Sequence, residues 1–516
     1  MISGYLIRKN EYYDSVFLMG INKKLSDHPG VKQTAVLMGT ENNKKLLNDI
    51  GIKGGSIDSA MANDLIVAVI ADSQQIVDEI FENLDERLRS IFESSPISVW
   101  KTFEDGLKQK PNANLEVLSI PGEYVSREAL KAIKAGLNVF IFSSNVSLED
   151  ELELKKLASK KNVFVMGPDC GTSIIGGAGI GFANVVRQGI IGVIGASGTG
   201  LQEFTCQVHN AGQGISHAIG TGTNDVSDKI GGITSLAAID ALEADPNTKV
   251  IAFVSKPPGK NLQEKLVERL EICSKPTICC FLGADHSSSP DDQLHFAKTI
   301  DLAVDWALHL AGSTPPPIEF KLQAEELALI DIEAAQWNSE QQYLRGVFAG
   351  GTYCYQSQQI LHNTGLEIYS NAPLDNKFLL DNPDQSRANS IVDMGDEYYT
   401  LGKPHPMIDG SLRIERILSE SLDPEVAVLF LDFILGYNAS SDPAGELLEA
   451  ISQAQQNATN RGAHLTVVAS ICGTEDDPQD LKLQSQMLKD QGVYVFNSNS
   501  KAAIFCAGLL GKVRRT

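Results

Sequence analysis

The sequence predicts an α/β protein made of a small N-terminal α+β domain, a Rossmann-like domain and two flavodoxin-like domains. Three observations predict it. Short apolar runs alternate with helical ones along most of the chain, the pattern of buried parallel strands joined by crossover helices. A glycine-rich turn, IIGVIGASGTGLQEF from Ile190 to Phe204, joins one such strand to a helix. After a proline-rich break the second half restarts the same pattern. At 516 residues and 43% hydrophobic content the chain exceeds what one core sustains, so three or four domains are expected.

Within residues 1–110, YLIRK, YYDSVFLMGINKKL, VKQTAVLMG, LIVAVIA and SQQIVDEIFENLDERLRSIF alternate strand-like and helix-like patterns, which a small α+β domain accounts for. Residues 111–188 carry LEVLSI, SREALKAIKAG, NVFIFS, LEDELELKKLASKK and VFVMG, a βαβαβ order. Residues 189–312 repeat the scheme with IIGVIG, a helix from Thr199, SHAIG, a helix from Ile233 to Leu242, KVIAFVS, a helix from Asn261, PTICCFLG and a last helix. STPPPIEF opens a charged, helical linker over 313–344. Residues 345–516 form the second copy. RGVFAGGTYCYQSQQIL matches GVIGASGTGLQEF in kind, and KIGGITSLAAIDALEADPNTKVIAFVS lines up with MIDGSLRIERILSESLDPEVAVLFLDF, so that Asp245-Pro246 falls on Asp423-Pro424. The second copy also holds an insertion, NSIVDMGDEYYTLGKPHPMIDG, from Asn389 to Gly410. Insertions on a duplicated scaffold are where function tends to sit.

A net charge of -22 argues against nucleic acid or an anionic membrane as partner, because both need counter-charge. The eight cysteines include no CxxC and no zinc-type Cys/His spacing, so no metal is expected and the thiols read as those of a reducing cytosol. The stretch MISGYLIRKNEYYDSV carries charges where a signal peptide needs apolar residues, and no apolar run approaches 18 residues. A cytoplasmic protein without a membrane span is expected.

The turn at Gly195 fails both common nucleotide templates. Gly195 and Gly200 have Walker A spacing, but Leu201 and Gln202 stand where lysine and a hydroxyl are needed. Gly195, Gly198 and Gly200 give GxxGxG rather than GxGxxG. What remains is a helix start with unpaired N–H groups and a positive dipole end, with hydroxyls from Ser197 and Thr199. That makes Ser197, Gly198, Thr199 and Gly200 candidate anion ligands; the other reading is that the glycines only let strand and helix pack closely. The insertion gathers Asp393, Gly395, Asp396, Glu397, Lys403, His405 and Asp409. His405 lies between Pro404 and Pro406, which suits a positioned acid/base or phosphate acceptor, unless the loop is merely solvated and its His caps a helix. His217 precedes a second glycine-rich turn, at the expected carboxyl end of a strand, where open α/β sheets bind ligands; buried, hydrogen-bonded histidines are as common there. Lys256 in VSKPPG occupies the same edge one strand later. No GxSxG elbow occurs, and nothing marks an activating base for Cys170, which reads as an inert thiol.

The ordered set IPGEYVSREALKAIKAGLNVFIFSSNVSLEDE, MGPDCGTSIIGG, IGVIGASGTG, HAIGTG, VSKPP, FAGGT and DMGDEYYTLGKPHPMID resembles the FdrA family of succinyl-CoA synthetase relatives over nearly the whole chain. The resemblance implies that the Rossmann-like domain is CoA-binding-type and truncated, and that the two flavodoxin-like domains are CoA-ligase-type. In the synthetase, helix N-termini of two ligase domains point at one phosphate. Ser197, Gly198, Thr199 and Gly200 would accordingly face Gly350, Gly351 and Thr352, with Lys256 adding charge. His217 and His405 are the catalytic candidates.

The chain departs from the synthetase pattern at several points. Before Leu115 it has KTFEDGLKQKPNAN and no GxTGxxG-type loop for the CoA nucleotide. No GHAGA phosphohistidine sequence follows FLGADHSSSPDDQLHF, leaving His286 and His295 as stand-ins. Ser255 and Lys256 occupy the position of the usual glutamate, Thr223, Asn224 and Asp225 follow HAIGTG where relatives carry GGRD, and no ATP-grasp domain is visible. An acyl-CoA synthetase-like protein with CoA as candidate ligand is the first functional expectation. A carbamoyltransferase subunit acting on oxamate and carbamoyl phosphate in purine or allantoin breakdown is the second, and a non-catalytic scaffold the third. Each pairs a small anionic substrate with partner subunits.

Overall fold

A computed structural model describes every residue except 1, 12, 14, 27, 41–42, 45–46, 49–50, 62, 86–99, 101, 284–291, 318–319, 401–402 and 514–516. The chain falls into two compact units, Met1–Asn114 with Thr400–Pro404, and Leu115–Tyr399 with His405–Thr516.

The first unit holds an antiparallel sheet of β1 (Ile2–Arg8), β3 (Leu65–Ala71) and β2 (Val31–Met38), in the order β1-β3-β2. Central β3 reads LIVAVIA without alternation because both its faces are covered. Val67 and Val69 pack on α1 (Ser15–Ser26) and α2 (Gln74–Glu82), while Ile66 and Ala68 pack on Leu47, Ile52 and Ile57.

The second unit contains three parallel-stranded layers. β4 (Leu115–Leu118), β5 (Asn138–Ile141) and β6 (Val165–Met166) form the Rossmann-like sheet, with α3 (Gly122–Lys134) and α4 (Leu148–Lys161). Helix α4 starts where Ser147 caps the N–H of Asp150, and it carries Glu149, Asp150 and Glu151 in its first turn and Lys160 and Lys161 in its last, matching the helix dipole at both ends.

Next come β9 (Gln188–Gly195), α5 (Gly198–Asn210), β10 (Ile215–Gly220), α6 (Ile233–Ala244), β11 (Val250–Ser255), α7 (Lys260–Glu271), β12 (Thr277–Phe281), β13 (Leu294–Phe296) and α8 (Ile300–Leu310). After the linker helix α9 (Ala324–Ala334) the second copy runs β14 (Tyr343–Phe348), α10 (Gly351–Asn363), β15 (Ser390–Asp393), α11 (Ser411–Glu420), β16 (Val426–Ile434), α12 (Pro443–Asn460), β17 (Thr466–Cys472), α13 (Leu481–Asp490), β18 (Tyr494–Phe496) and α14 (Asn499–Leu510). The sheet orders β13-β12-β11-β9-β10 and β15-β14-β16-β17-β18 are both 2-1-3-4-5 within their copy, the flavodoxin-like winding whose ligands sit beside the first strand at its carboxyl end.

One hairpin joins the neighbouring sheet. β7 (Thr172–Ile175) and β8 (Ala178–Gly181) pair antiparallel with each other and extend the first ligase-like sheet through β10, although they lie inside the 111–188 segment. Gly176 and Gly177 form a two-residue turn with φ of 58° and 86°, the left-handed pair that a tight hairpin requires.

The Rossmann-like layer is fixed to the first ligase-like domain by a buried charge cluster. Lys155 of α4 is fully buried between Glu151 (2.8 Å) and Asp225 (2.8 Å) and donates to the Thr221 carbonyl (3.0 Å). Asp225 also accepts from the backbone N–H groups of Thr234 and Ser235 at the start of α6. Removing the lysine strands two carboxylates. Lys155→Met is expected to cost about 3–5 kcal/mol in urea unfolding at pH 7, and adding Glu151→Gln and Asp225→Asn to recover most of it. A loss below about 1 kcal/mol would place the cluster among solvated pairs.

Candidate functional site

Three helix N-termini converge where the two ligase-like domains meet, and their backbone amides are satisfied differently. The first turn of a helix leaves N–H groups without intrahelical partners, so each needs an acceptor when it is covered.

At α14 the acceptors are carboxylates of the other domain. Glu203 of α5 takes the Asn499 N–H at 2.8 Å, and Asp301 of α8 accepts from the Ser500 hydroxyl. At α10 the turn after β14 is filled from its own domain. Asp432, fully buried on β16, accepts from the N–H of Ala349 (2.8 Å) and Gly350 (2.7 Å) and pairs with buried Arg413 at 3.0 Å. Arg413 in turn donates to the carbonyls of Val347 and Asp432. Gly350 is therefore corrected: its amide is already spent on Asp432.

At α5 no such carboxylate is present. Among the described residues, none accepts from the amides of Gly198 and Thr199, and Ser197, Gly198 and Thr199 are all partly accessible. The glycines serve packing as well. A Cβ on Gly195 would come within 2.6 Å of Leu201, and one on Gly200 within 3.3 Å of the Thr352 methyl. Both readings of this turn therefore hold, each at its own position.

The structure joins the two turns. Ser197 Oγ is hydrogen-bonded to Thr352 Oγ1 across 155 residues, and Thr352 is buried. Lys256, at the end of β11, reaches the same place from the first domain. It lies 5.7 Å from the Tyr355 ring centroid, and its charge is felt by Asp393 and Asp169.

Asp393 ends β15 and is buried. Its Oδ1 accepts from Gly395 N–H at 3.0 Å, and its Oδ2 lies 2.6 Å from where a Cβ on Gly351 would be, so a side chain at that position would displace the carboxylate. Burial pushes its pKa up to about 6 against the pull of Lys256, close enough to neutrality for proton exchange.

His405 is brought to this turn: its Nε2 lies 2.8 Å from where a Cβ on Gly395 would be, and the ring leans on Phe182 with centroids 5.8 Å apart. Its role differs from the expected one. Nδ1 accepts from Met407 N–H at 3.2 Å, which leaves the proton on Nε2. Burial, and then Arg413, lower its pKa to about 4. With Nδ1 engaged by the backbone, the neutral ring carries its proton on Nε2, which suits it to donate a hydrogen bond.

His217 is not brought to the cradle. It pairs in register with Gly192, whereas Gly220 pairs with Gly195; three residues of strand, roughly 10 Å, separate it from the strand end. Its ring accepts from Gly176 N–H (3.1 Å) and faces Asp245 (3.6 Å), so it fastens the β7–β8 turn. His295 is buried and stacked on Trp306 at 4.1 Å, and His286 lies outside the described residues. Cys170 is buried, which pushes its thiol up to about 12, an inert state.

Sequence reasoning missed Asp432 and Arg413. One signal was available: a lone aspartate inside the nine-residue apolar run VAVLFLDFI needs a buried partner.

Comparison with known proteins agrees with this architecture. The family model described as CoA-ligase matches residues 347–507, that of a CoA binding domain matches 186–283, and that of the AllF heavy metal-associated domain matches 1–97. The CoA binding match thus falls on the segment read as the first ligase-like domain rather than on 111–188. Residues 1–97 contain no cysteine and one histidine, His28, so they lack the thiolates that a soft metal needs. Among the described residues no cluster of three or more His, Cys, Asp or Glu side chains is arranged to hold a metal, and no helix is long and apolar enough to cross a membrane.

The succinate–CoA ligase [ADP-forming] subunit alpha of Methanothermobacter thermautotrophicus is 26% identical over 191 residues, 36% of this chain and 63% of that subunit. Acetyl-coenzyme A synthetase 1 of Ca. Korarchaeum cryptofilum overlays at 18% identity over 77% of this chain and 83% of its own, with a TM-score of 0.31. An ATP citrate lyase from Methanothrix soehngenii does so at 12% identity over 80% and 85%, with a TM-score of 0.35. The uncharacterized protein YahF of Escherichia coli K12 is 39% identical over 511 residues, 98% of both chains. With that end-to-end relative and matches to both CoA-ligase and CoA-binding domains, the chain belongs to the FdrA family of acyl-CoA ligase-like proteins.

Proposed function

We propose that this protein is an acyl-CoA synthetase, succinyl-CoA ligase-like, that handles an acyl phosphate at the cradle between its two ligase-like domains. The observation that carries the reading is the unfilled start of α5, held against the start of α10 by the Ser197–Thr352 hydrogen bond. The N–H groups of Gly198 and Thr199 and the hydroxyls of Ser197 and Thr352 would hold phosphoryl or carboxylate oxygens, aided by the α5 dipole. Lys256 would balance their charge, and His405 Nε2–H would donate to the oxygen on which charge develops. Asp393 would exchange the proton as the acyl group moves.

The CoA binding match at 186–283 supports CoA as the acceptor, which would supply a thiol. The glycine-rich nucleotide loop of the synthetase pattern has no counterpart before Leu115, so no step is routed through CoA. Partner subunits would provide nucleotide chemistry, and the cytoplasm is the fitting compartment.

A second reading is carbamoyl transfer between carbamoyl phosphate and a small acceptor. The neutral, Nε2-protonated His405 favours it, because a ready-made mixed anhydride needs no phosphorylated histidine. Parallel calorimetric titration with CoA, phosphate and carbamoyl phosphate separates the two. Binding of CoA supports the first, and binding of carbamoyl phosphate without CoA the second. Failure of all three removes both.

Two further outcomes are expected. Sulfate keeps its charge from pH 5 to 8, so its affinity reports on the site alone. Asp393 is neutral below its pKa of about 6 and anionic above, so sulfate should bind roughly tenfold more weakly at pH 7.5 than at pH 5. Asp393→Asn should flatten that dependence; a slope surviving in the variant would assign it elsewhere. For His405, the Gln variant keeps a donor and should hold phosphate affinity within about threefold, whereas Phe should lose about tenfold. Neither should change the pH profile above 5, since His405 titrates near 4.

A further inference from the structure

Beside the cradle, the interface between the two ligase-like domains encloses a second recess that the proposed chemistry does not use. It is lined by Glu203 and Cys206 of α5, Tyr353 of α10, Ser470 and Cys472 at the end of β17, and Asn499 at the start of α14. The space suits one water-sized occupant.

Three oxygens of this lining are buried and have no hydrogen-bond partner: Glu203 Oε2, Tyr353 Oη and Ser470 Oγ. Their residues are 2%, 1% and 3% exposed. An unpartnered oxygen at this burial is costly, and three in one recess mark a missing occupant.

Charge selects the occupant. The lining includes no lysine or arginine. Glu203 spends only Oε1, on the Asn499 N–H (2.8 Å) and the Gln207 side chain (3.3 Å), and Asp301 stands close enough to raise its pKa further after burial has done so. Asp301 itself has an unpartnered Oδ1. The surroundings are thus oxygen-rich and free of cationic side chains, and burial leaves the Glu203 carboxyl holding its proton in the empty recess. Divalent cations ask for several carboxylates, and this lining supplies one, Glu203. Soft metals ask for thiolates, and burial keeps the Cys206 thiol protonated.

We propose that this recess is a binding site for a water-sized monovalent cation, ammonium or potassium, held by Glu203 Oε2, Tyr353 Oη and Ser470 Oγ. The cation would take the place of the Glu203 proton between the two domains, so its effect is on the stability of their contact and is separable from anion binding at the cradle.

The test is thermal unfolding of the full chain in tetramethylammonium buffer at fixed ionic strength, titrated with ammonium, potassium, sodium or lithium chloride. A saturable rise of a few degrees with ammonium or potassium, weaker with sodium and absent with lithium, is the expected result. The tighter of the first two identifies the occupant. Glu203→Gln should abolish the rise. Ser470→Ala and Tyr353→Phe, which remove one neutral oxygen each and keep the fold if Glu203→Gln does not, should raise the half-saturating concentration about tenfold. Equal shifts with every salt, or variants as responsive as the wild type, would mean that the recess holds only water and would overturn the proposal.

Discussion

The structure depends on the requirement that a buried helix start must have its N–H groups met. Where the two ligase-like domains join, Glu203 meets the Asn499 N–H of α14 and Asp432 meets the Ala349 and Gly350 N–H groups ahead of α10, while among the described residues no side chain accepts from the Gly198 and Thr199 N–H groups of α5 or the Gly351 and Thr352 N–H groups of α10. The same rule that closes the start of α14 leaves the facing first turns of α5 and α10 for a ligand. The duplication alone does not decide this. Both copies present a glycine-rich turn after their first strand, but only the second copy places an aspartate on its third strand beneath that turn.

Polar networks cross the join and make it specific. Asn499 exchanges hydrogen bonds with Ser357 and accepts from Gln356, whose carbonyl caps the Ile300 N–H. On the opposite side, Asp477 takes the Asn184 amide and the Val185 N–H, and Asn184 and Gln202 both donate to the Leu435 carbonyl. Such networks rigidify when every member is satisfied. Among the members with an unpartnered oxygen, Glu203, Tyr353 and Ser470 line one recess. In a chain of net charge -22 the cradle still favours anions, because Lys256, a helix dipole and a neutral His405 outweigh Asp393 while that carboxyl holds its proton.

Much of the fold was legible in the sequence. Alternation of apolar strands with helices and the match of Asp245-Pro246 to Asp423-Pro424 led to two flavodoxin-like units, and both sheets are wound 2-1-3-4-5. The pairing of Ser197 and Gly200 with Thr352 followed from the family resemblance. What was not legible depends on backbone partners that sequence does not display. His405 is a donor only because the Met407 N–H lands on its Nδ1, and His217 is structural because the Gly176 turn reaches it. Gly350 is spent because a buried strand supplies Asp432. The β7–β8 hairpin crossed its expected boundary because β10 offered an edge to a turn signalled by Gly176-Gly177.

The central claim is that helix starts from both copies form a single anion site. A double-mutant cycle on phosphate and carbamoyl phosphate affinity, using Ser197→Ala, Thr352→Val and the double variant in calorimetry at pH 6, tests it most directly. The account predicts that each single change weakens binding about tenfold and that the double is little worse than either, because one shared hydrogen bond holds the cradle together. Full additivity, or wild-type affinity in both singles, would contradict it.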